Sequence, residues 1–282
     1  MTTTEKATAT TDRSYALGRT REEHERLRAQ ARVWEAATGR LLDQVGLAPG
    51  ARCLDAGCGP GETMRLMAHR VGPEGGVVGI DVDEPLGTAA LAGLHAAGHT
   101  QCAFVRHDVA AGEALPGAPY DLVFARLLLF HLPQRLAVLR RLWDAVAPGG
   151  HLVIQEYDLR PISVLPPLTS VEEAVRVVIG AFDAAGCDVR LGARLPAAFA
   201  EAGIGEPDGT DVAGRLDPFA VGVRMLGAVF GSVRPGAVAH GVTSEAGAAG
   251  VAAALESDAA EFADRPMLWP LMIGAWKRRP KA

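Results

Sequence analysis

Between Cys53 and Glu62 the chain reads Cys-Leu-Asp-Ala-Gly-Cys-Gly-Pro-Gly-Glu, an apolar run that ends in a carboxylate and is followed by glycine at every second position. Without a Cβ, Gly57, Gly59 and Gly61 admit positive φ and let a ligand approach the backbone closely. The pattern predicts a strand, a sharp turn, and a helix from Glu62 whose free N–H groups face whatever fills the turn. Such a corner is where an open α/β sheet holds a nucleotide-type cofactor.

The next two segments narrow the ligand. Residues 76–81 (Gly-Val-Val-Gly-Ile-Asp) and 103–108 (Ala-Phe-Val-Arg-His-Asp) are short apolar runs, each ending in an acid one βα unit after its predecessor. Asp81 is placed to accept both ribose hydroxyls in charge-assisted bonds, and Asp108 to accept an adenine amine. Each acid could instead cap the helix that follows. Val82 and Val109, beside them, are assigned to the same pocket, and Asp55 and Cys58 to the turn. Asp55 is expected to orient the turn and a cofactor amino group by hydrogen bonds. A nicotinamide dinucleotide would want G-x-G-x-x-G, but Glu62 stands where the last glycine belongs. Acids on both flanks of the turn suit a cofactor carrying an amine or a sulfonium.

The pattern resembles the class I S-adenosylmethionine-dependent methyltransferases. Residues 120–126 (Tyr-Asp-Leu-Val-Phe-Ala-Arg) look like that family's fourth strand, Leu129-Phe130-His131-Leu132-Pro133 like its "L-x-H-L-P", and Pro148-Gly149-Gly150 like its turn into a fifth strand. The matches keep the family's order over residues 50–160. The resemblance implies a doubly wound, seven-stranded, mostly parallel Rossmann-like sheet whose last strand is antiparallel, with a helical lid. It also implies S-adenosyl-L-methionine as cofactor. Tyr15 lies in a "Y-x-L-G" similar to one that closes over the cofactor in such enzymes; Gln30 is placed at the same end of the ligand, with simple packing open for both. Similar chains include bacterial tailoring enzymes of natural-product pathways, so the expected acceptor is a small molecule methylated on a hydroxyl. Two other uses stay open: a non-methylating relative that employs the cofactor structurally or electrostatically, and an NAD(P)-dependent oxidoreductase.

A net charge of −5 over 282 residues argues against a nucleic-acid-binding face. The strand ending in Ala125-Arg126-Leu127-Leu128 lacks the Asn/Asp-Pro-Pro-aromatic motif of amino-directed DNA methyltransferases. No run approaches the roughly 20 apolar residues of a membrane span, and the polar start shows no signal region, so a cytoplasmic monomer or homodimer is expected. Cysteines 53, 58, 102 and 187 have no metal or redox spacing and read as reduced thiols in or near a core. There is no G-x-S-x-G elbow, no phosphate loop and no metal-ligand cluster.

Organisation is read as follows: a disordered tail over 1–13, an N-terminal helical cap over 14–48, and the cofactor-binding core over 49–160. A helical lid insertion over 161–190, a core helix and sixth strand over 191–214, a second helical insertion over 215–264, and a seventh strand and tail over 265–282 complete it. Helical character is expected from about 20 to 45, and helices over 62–71, 85–97 and 133–146. Residues 160–167 read as a linker, and 266–276 as one strand. Apolar lid residues (Val171, Val177, Ile179, Phe182, Phe219, Met225, Leu226, Phe230) either line an acceptor pocket or bury the lid on the core.

Methyl transfer is an in-line displacement, to which alignment alone contributes about 7–11 kcal/mol. A hydroxyl acceptor also loses a proton, so a base at the strand C-termini is sought. His131 and Glu156 are the catalytic candidates by position, with Tyr157, Asp158 and His24 nearby. His131 could instead tie its helix to a loop. Glu156 could hold the cofactor pocket or pair with Arg126, and Arg126 could orient an acidic substrate or sit in a structural ion pair.

Overall fold

The structure, a computed structural model, describes residues 21–281, and side chains from residue 24 onward. Tyr15 and the 1–13 tail lie outside the described residues. The elements run α1 (Arg21–Val33), α2 (Glu35–Gln44), β1 (Arg52–Ala56), α3 (Glu62–Val71), β2 (Gly76–Asp81), α4 (Glu84–Ala96), β3 (Cys102–Arg106), β4 (Tyr120–Arg126), α5 (Arg135–Asp144) and β5 (Val146–Asp158). They continue with β6 (Ser163–Val164), α6 (Thr169–Ala184), α7 (Leu191–Glu201), β7 (Gly209–Ala213), β8 (Leu216–Pro218), α8 (Phe219–Ala239), α9 (Glu245–Glu261), β9 (Pro266–Leu268) and β10 (Leu271–Arg278).

Seven strands form one sheet in the order β3-β2-β1-β4-β5-β10-β7. The pairs among the first five are parallel, while β10 runs antiparallel to both β5 and β7. This is the expected doubly wound sheet with an antiparallel final strand. The chain order reverses between β1 and β4, which opens a crevice at their C-terminal ends. Both faces are covered: Leu54, Ala56, Val123 and Ile154 pack on one side, and Cys53, Leu122, Phe124 and Val153 on the other. All four cysteines are buried and free.

The helical character expected over 20–45 is present as two helices that part at Trp34 (φ −102°, ψ 8°), so α1 leaves α2 and crosses the C-terminal ends of the strands. The Trp34 ring is held inside, 2% exposed. Three expectations are corrected. Residues 266–276 do not form one strand. Pro270 has no N–H to give a ladder, and the segment divides there into β9, in a small separate sheet, and β10 in the main one. The small sheet, in the order β6-β9-β8, takes two residues from the expected 160–167 linker and gives the helical lid a β component. Finally, His131 does not sit in a helix over 133–146 but in a 3₁₀ turn, Leu129–His131, ahead of α5.

Above the crevice, α6, α8 and α9 pack on one another, and α8 packs on α1. Val171, Val177, Phe219 and Phe230 are buried within this lid and its seat. Phe182, Met225 and Leu226 line a chamber described below. Among the described residues no helix is long and apolar enough to cross a membrane.

Candidate active site

The turn after β1 is fixed by its own backbone. The Gly57 and Cys58 N–H groups both donate to Ile80 O, at 2.8 and 3.0 Å. Gly57 has φ +70° and Gly59 φ +49°, in the region glycine alone enters freely. A Cβ on Gly57 would stand 2.9 Å from Leu128 Cδ1, whereas one on Gly59 would meet no protein atom within 4 Å. Gly59 therefore presents bare backbone to open space. That space is a cavity of about 200 Å³ at the switch point, lined by Gly57, Cys58, Gly59, Asp81, Val82, Asp108, Val109 and Arg126, and roofed by His24, Leu27, Gln30, Ala31 and Trp34.

Nine of the residues assigned to the cofactor from sequence thus share one cavity wall, Gln30 included. Gly61 and Asp55 do not line it. Gly61 caps α3, with room for its Cβ limited by Ala90 Cβ at 3.0 Å. Asp55 lies beneath the turn, 2% exposed, and its Oδ2 has no hydrogen-bond partner. Burial pushes its carboxyl up to about 7, against the pull of the Arg126 guanidinium.

Asp81 is built in from two sides. Its Oδ2 accepts the Gly59 N–H at 2.9 Å, and its Oδ1 accepts the Asp83 N–H at 2.9 Å. It does not cap α4; Asp83 does, through the Leu86 N–H at 3.0 Å. Burial pushes the Asp81 carboxyl upward, and these N–H donors oppose that. A carboxylate accepts about four hydrogen bonds, so both oxygens keep capacity toward the cavity. The exposed Asp108 bends its own turn, accepting the Ala110 N–H at 2.8 Å. His24 Nε2 lies 3.1 Å from Asp83 Oδ2, which ties the roof to the wall.

Arg126 is half-buried and does not pair with Glu156. Its Nη1 donates to Thr38 Oγ1 at 3.0 Å, and Thr38 in turn donates to Gln155 Oε1 at 2.7 Å. Burial lowers the Arg126 pKa, and the Asp55 charge is the largest effect raising it. Glu156 is wholly buried and lines neither this cavity nor the neighbouring chamber. Its Oε1 accepts the Leu128 and Leu129 N–H groups at 3.1 and 2.7 Å. Burial pushes its carboxyl up to about 8 even so. Glu156 thus holds the 128–130 loop from below rather than facing an acceptor.

Beside the cavity lies a second, mostly apolar chamber of about 110 Å³, under α1, α6 and α8. The two spaces share Leu27, Gln30, Leu127 and His131 as a common wall. Leu127 has φ +53°, a left-handed conformation that costs a non-glycine residue about 1–3 kcal/mol. It follows β4 at the seam, and its N–H donates to Gln155 O at 2.9 Å. Burial, with the Arg26 charge adding to it, pushes the His131 imidazole down to about 3, so it stands neutral. Its ring lies against Phe130, centroids 3.7 Å apart, and its Nδ1 lies 3.9 Å from Cys187 Sγ.

On the far side of the seam, Tyr157 receives two donors on its hydroxyl oxygen. Gln30 Nε2 approaches to 2.8 Å and Trp34 Nε1 to 2.6 Å, while Arg26 Nη1 donates to Gln30 Oε1 at 2.7 Å. The sequence carries no local signal for this group, because its members lie more than 120 residues apart. Among the described residues, no group of three His, Cys, Asp or Glu side chains could hold a metal ion.

Comparison with known proteins agrees with this geometry. A family model described as "Methyltransferase domain" matches residues 54–152. Over 118 residues the chain is 39% identical to trans-aconitate 2-methyltransferase of Rhizobium leguminosarum bv. trifolii, covering 42% of this chain and 43% of that protein. Over 115 residues it is 39% identical to nocamycin O-methyltransferase of Saccharothrix syringae, covering 40% of each. The matched part thus spans less than half the length of these curated relatives. A Haemonchus contortus N-methyltransferase solved with S-adenosylhomocysteine shares the fold, with a TM-score of 0.52 at 18% identity, over 87% of this chain and 53% of that one.

Proposed function

We propose that this chain, whose residues 54–152 match a family model described as "Methyltransferase domain", is a class I S-adenosylmethionine-dependent methyltransferase that methylates an oxygen of a small organic molecule held in the chamber beneath α6 and α8. The observation that carries the reading is the shared wall: Leu27, Gln30, Leu127 and His131 border both the cofactor cavity and the chamber. Two ligands, one in each space, would meet across these four residues. Alignment of that kind supplies most of what a displacement reaction needs.

The residues present fit S-adenosylmethionine. The open face at Gly59 is a cradle that a Cβ would fill. Asp81 would take the ribose hydroxyls, Asp108 the adenine amine, and the Arg126 guanidinium the carboxylate end, with Val82 and Val109 against the base. Asp55 would act from below, keeping the turn in place. For Tyr15, which lies outside the described residues, the sequence resemblance carries the proposal that it closes over the ligand. When bound, the cofactor supplies an electrophilic methyl group on a sulfonium.

His131 is the proposed catalytic residue, as the imidazole among the four side chains that line both spaces. In its neutral state it would orient an acceptor oxygen by a hydrogen bond. Its low proton affinity makes it a weak base, which favours an acceptor that arrives already ionised or readily ionised. The apolar walls from Phe182, Met225 and Leu226 suit a greasy acceptor body. A secondary metabolite processed in the cytoplasm by a monomer or homodimer fits this reading, and the likeness to a nocamycin O-methyltransferase supports it.

The test is incubation with methyl-labelled S-adenosylmethionine and a panel of umbelliferone, cinnamate, octanoate and trans-aconitate. Label should enter one or more of these, with S-adenosylhomocysteine released in equal amount. Tight S-adenosylhomocysteine binding with no labelled product from any acceptor would instead favour a non-methylating use of the cofactor. Binding of reduced nicotinamide cofactor alone would return the chain to the oxidoreductases.

A further inference from the structure

The chamber ends in a chain of hydrogen bonds that all run one way. Arg26 donates to Gln30 Oε1, and Gln30 Nε2 donates to Tyr157 Oη. Trp34 Nε1 adds a second donor to the same oxygen. With two N–H groups on it, Tyr157 Oη has only its own O–H left to offer. None of the hydrogen bonds among the described residues uses that proton. Arg26, Gln30 and Tyr157 all line the chamber, and Tyr157 is 7% exposed.

A row of donors that begins at a guanidinium polarises each member toward the end. The terminal O–H is therefore a strengthened donor in a low-dielectric space, and a group that only accepts hydrogen bonds would satisfy it. Trp269, another chamber wall residue, has a buried indole N–H with no partner among the described residues. The Tyr157 O–H thus stands in a mostly apolar chamber. Such a site excludes a neutral hydroxyl less by size than by chemistry, because a hydroxyl gains little from donors that an anion would use fully.

We infer that Tyr157 is a specificity-determining residue that holds the carboxylate of an organic acid with an apolar body, and that this carboxylate is the methyl acceptor. The inference rests on the methyltransferase reading above and names its substrate class. It replaces the expected hydroxyl. For such an acceptor a C–O bond forms as the C–S bond breaks, and the sulfonium cation and carboxylate anion become neutral thioether and ester. No proton has to be removed, which agrees with a seam lined by a neutral imidazole.

The experiment is a calorimetric titration of the protein saturated with S-adenosylhomocysteine, using cinnamate and octanoate against cinnamyl alcohol and octanol. At least one acid should bind about tenfold or more tightly than its matched alcohol, equally at pH 6 and pH 9. Tyr157→Phe should lose about 10–100-fold of that acid affinity, leaving the alcohol and S-adenosylhomocysteine affinities unchanged. Gln30→Met, which cuts the chain one link earlier, should weaken acid binding in the same direction and serves if the phenylalanine variant does not fold. Alcohols that bind as tightly as the acids, or a preference for acids that survives both variants, would overturn the inference while the cofactor reading stands. Failure of S-adenosylhomocysteine itself to bind would overturn both.

Discussion

Asp81 Oδ2 accepts the peptide N–H of Gly59 across 2.9 Å, tying the end of β2 to the bare turn after β1. The same carboxylate therefore sets the shape of the cavity and offers its remaining lone pairs to what fills it. Loss of a charge-assisted pair of hydrogen bonds costs about 1.5–3 kcal/mol. Asp81→Ala should weaken S-adenosylhomocysteine binding about 10–100-fold, measured by calorimetry on a variant whose circular dichroism matches the parent. Unchanged affinity in the folded variant would refute the ribose assignment.

Two glycine substitutions should separate binding from folding. At Gly59 an added Cβ meets no protein atom within 4 Å, but it enters the cavity. At Gly79, in β2, a Cβ would run into Met64 Sδ and stand 2.9 Å from Cys58 Sγ, inside the packed face. Gly59→Ala, which also pays about 1–2 kcal/mol for its left-handed backbone, should remain folded and lose cofactor affinity. Gly79→Ala should instead lower stability by about 1–3 kcal/mol through overpacking and keep cofactor affinity in the folded protein. Undiminished S-adenosylhomocysteine affinity in folded Gly59→Ala would contradict the assignment of Gly59 to the ligand face.

Glu156 makes stability depend on pH in a defined direction. In the unfolded chain its carboxyl titrates near the model-peptide value of 4.5, whereas burial holds it protonated up to about 8 in the fold. The folded state therefore binds the extra proton between these values, so stability is full below 4.5 and falls as pH rises through 8. Asp55, pushed up to about 7, acts in the same sense. Glu156→Gln keeps an oxygen for the Leu128 and Leu129 N–H groups and removes the ionisation. Thermal melts from pH 5 to pH 9 should show a shallower decline for the glutamine variant than for the parent; parallel curves would show that Glu156 is not the group responsible.

Much of the cofactor half was legible in the sequence because its signals are local. The glycine turn, the acid that ends β2 and the residues 107–109 at the next corner each announce themselves within a few positions, and the sheet order then brings them together. The chamber was not legible in that way. Trp34 and Gln30 reach Tyr157 across more than 120 residues, and the break in the first helix that allows it falls at a tryptophan, with neither glycine nor proline to mark it. The Leu127 backbone conformation likewise has no sequence signature, since leucine rarely takes positive φ. Glu156 was misread for a related reason: its position at a strand C-terminus was visible, but not the Leu128–Leu129 peptides that cover it. The division at Pro270 was visible in principle, as proline gives no N–H to a sheet.

The most direct test is a crystal structure of the protein grown with S-adenosylhomocysteine. Density for the ligand should lie over Gly57–Gly61, with its ribose on Asp81 and its sulfur directed at the wall shared by Leu27, Gln30, Leu127 and His131. Ligand density elsewhere on the molecule, or a ribose remote from Asp81 in a well-ordered complex, would contradict the account.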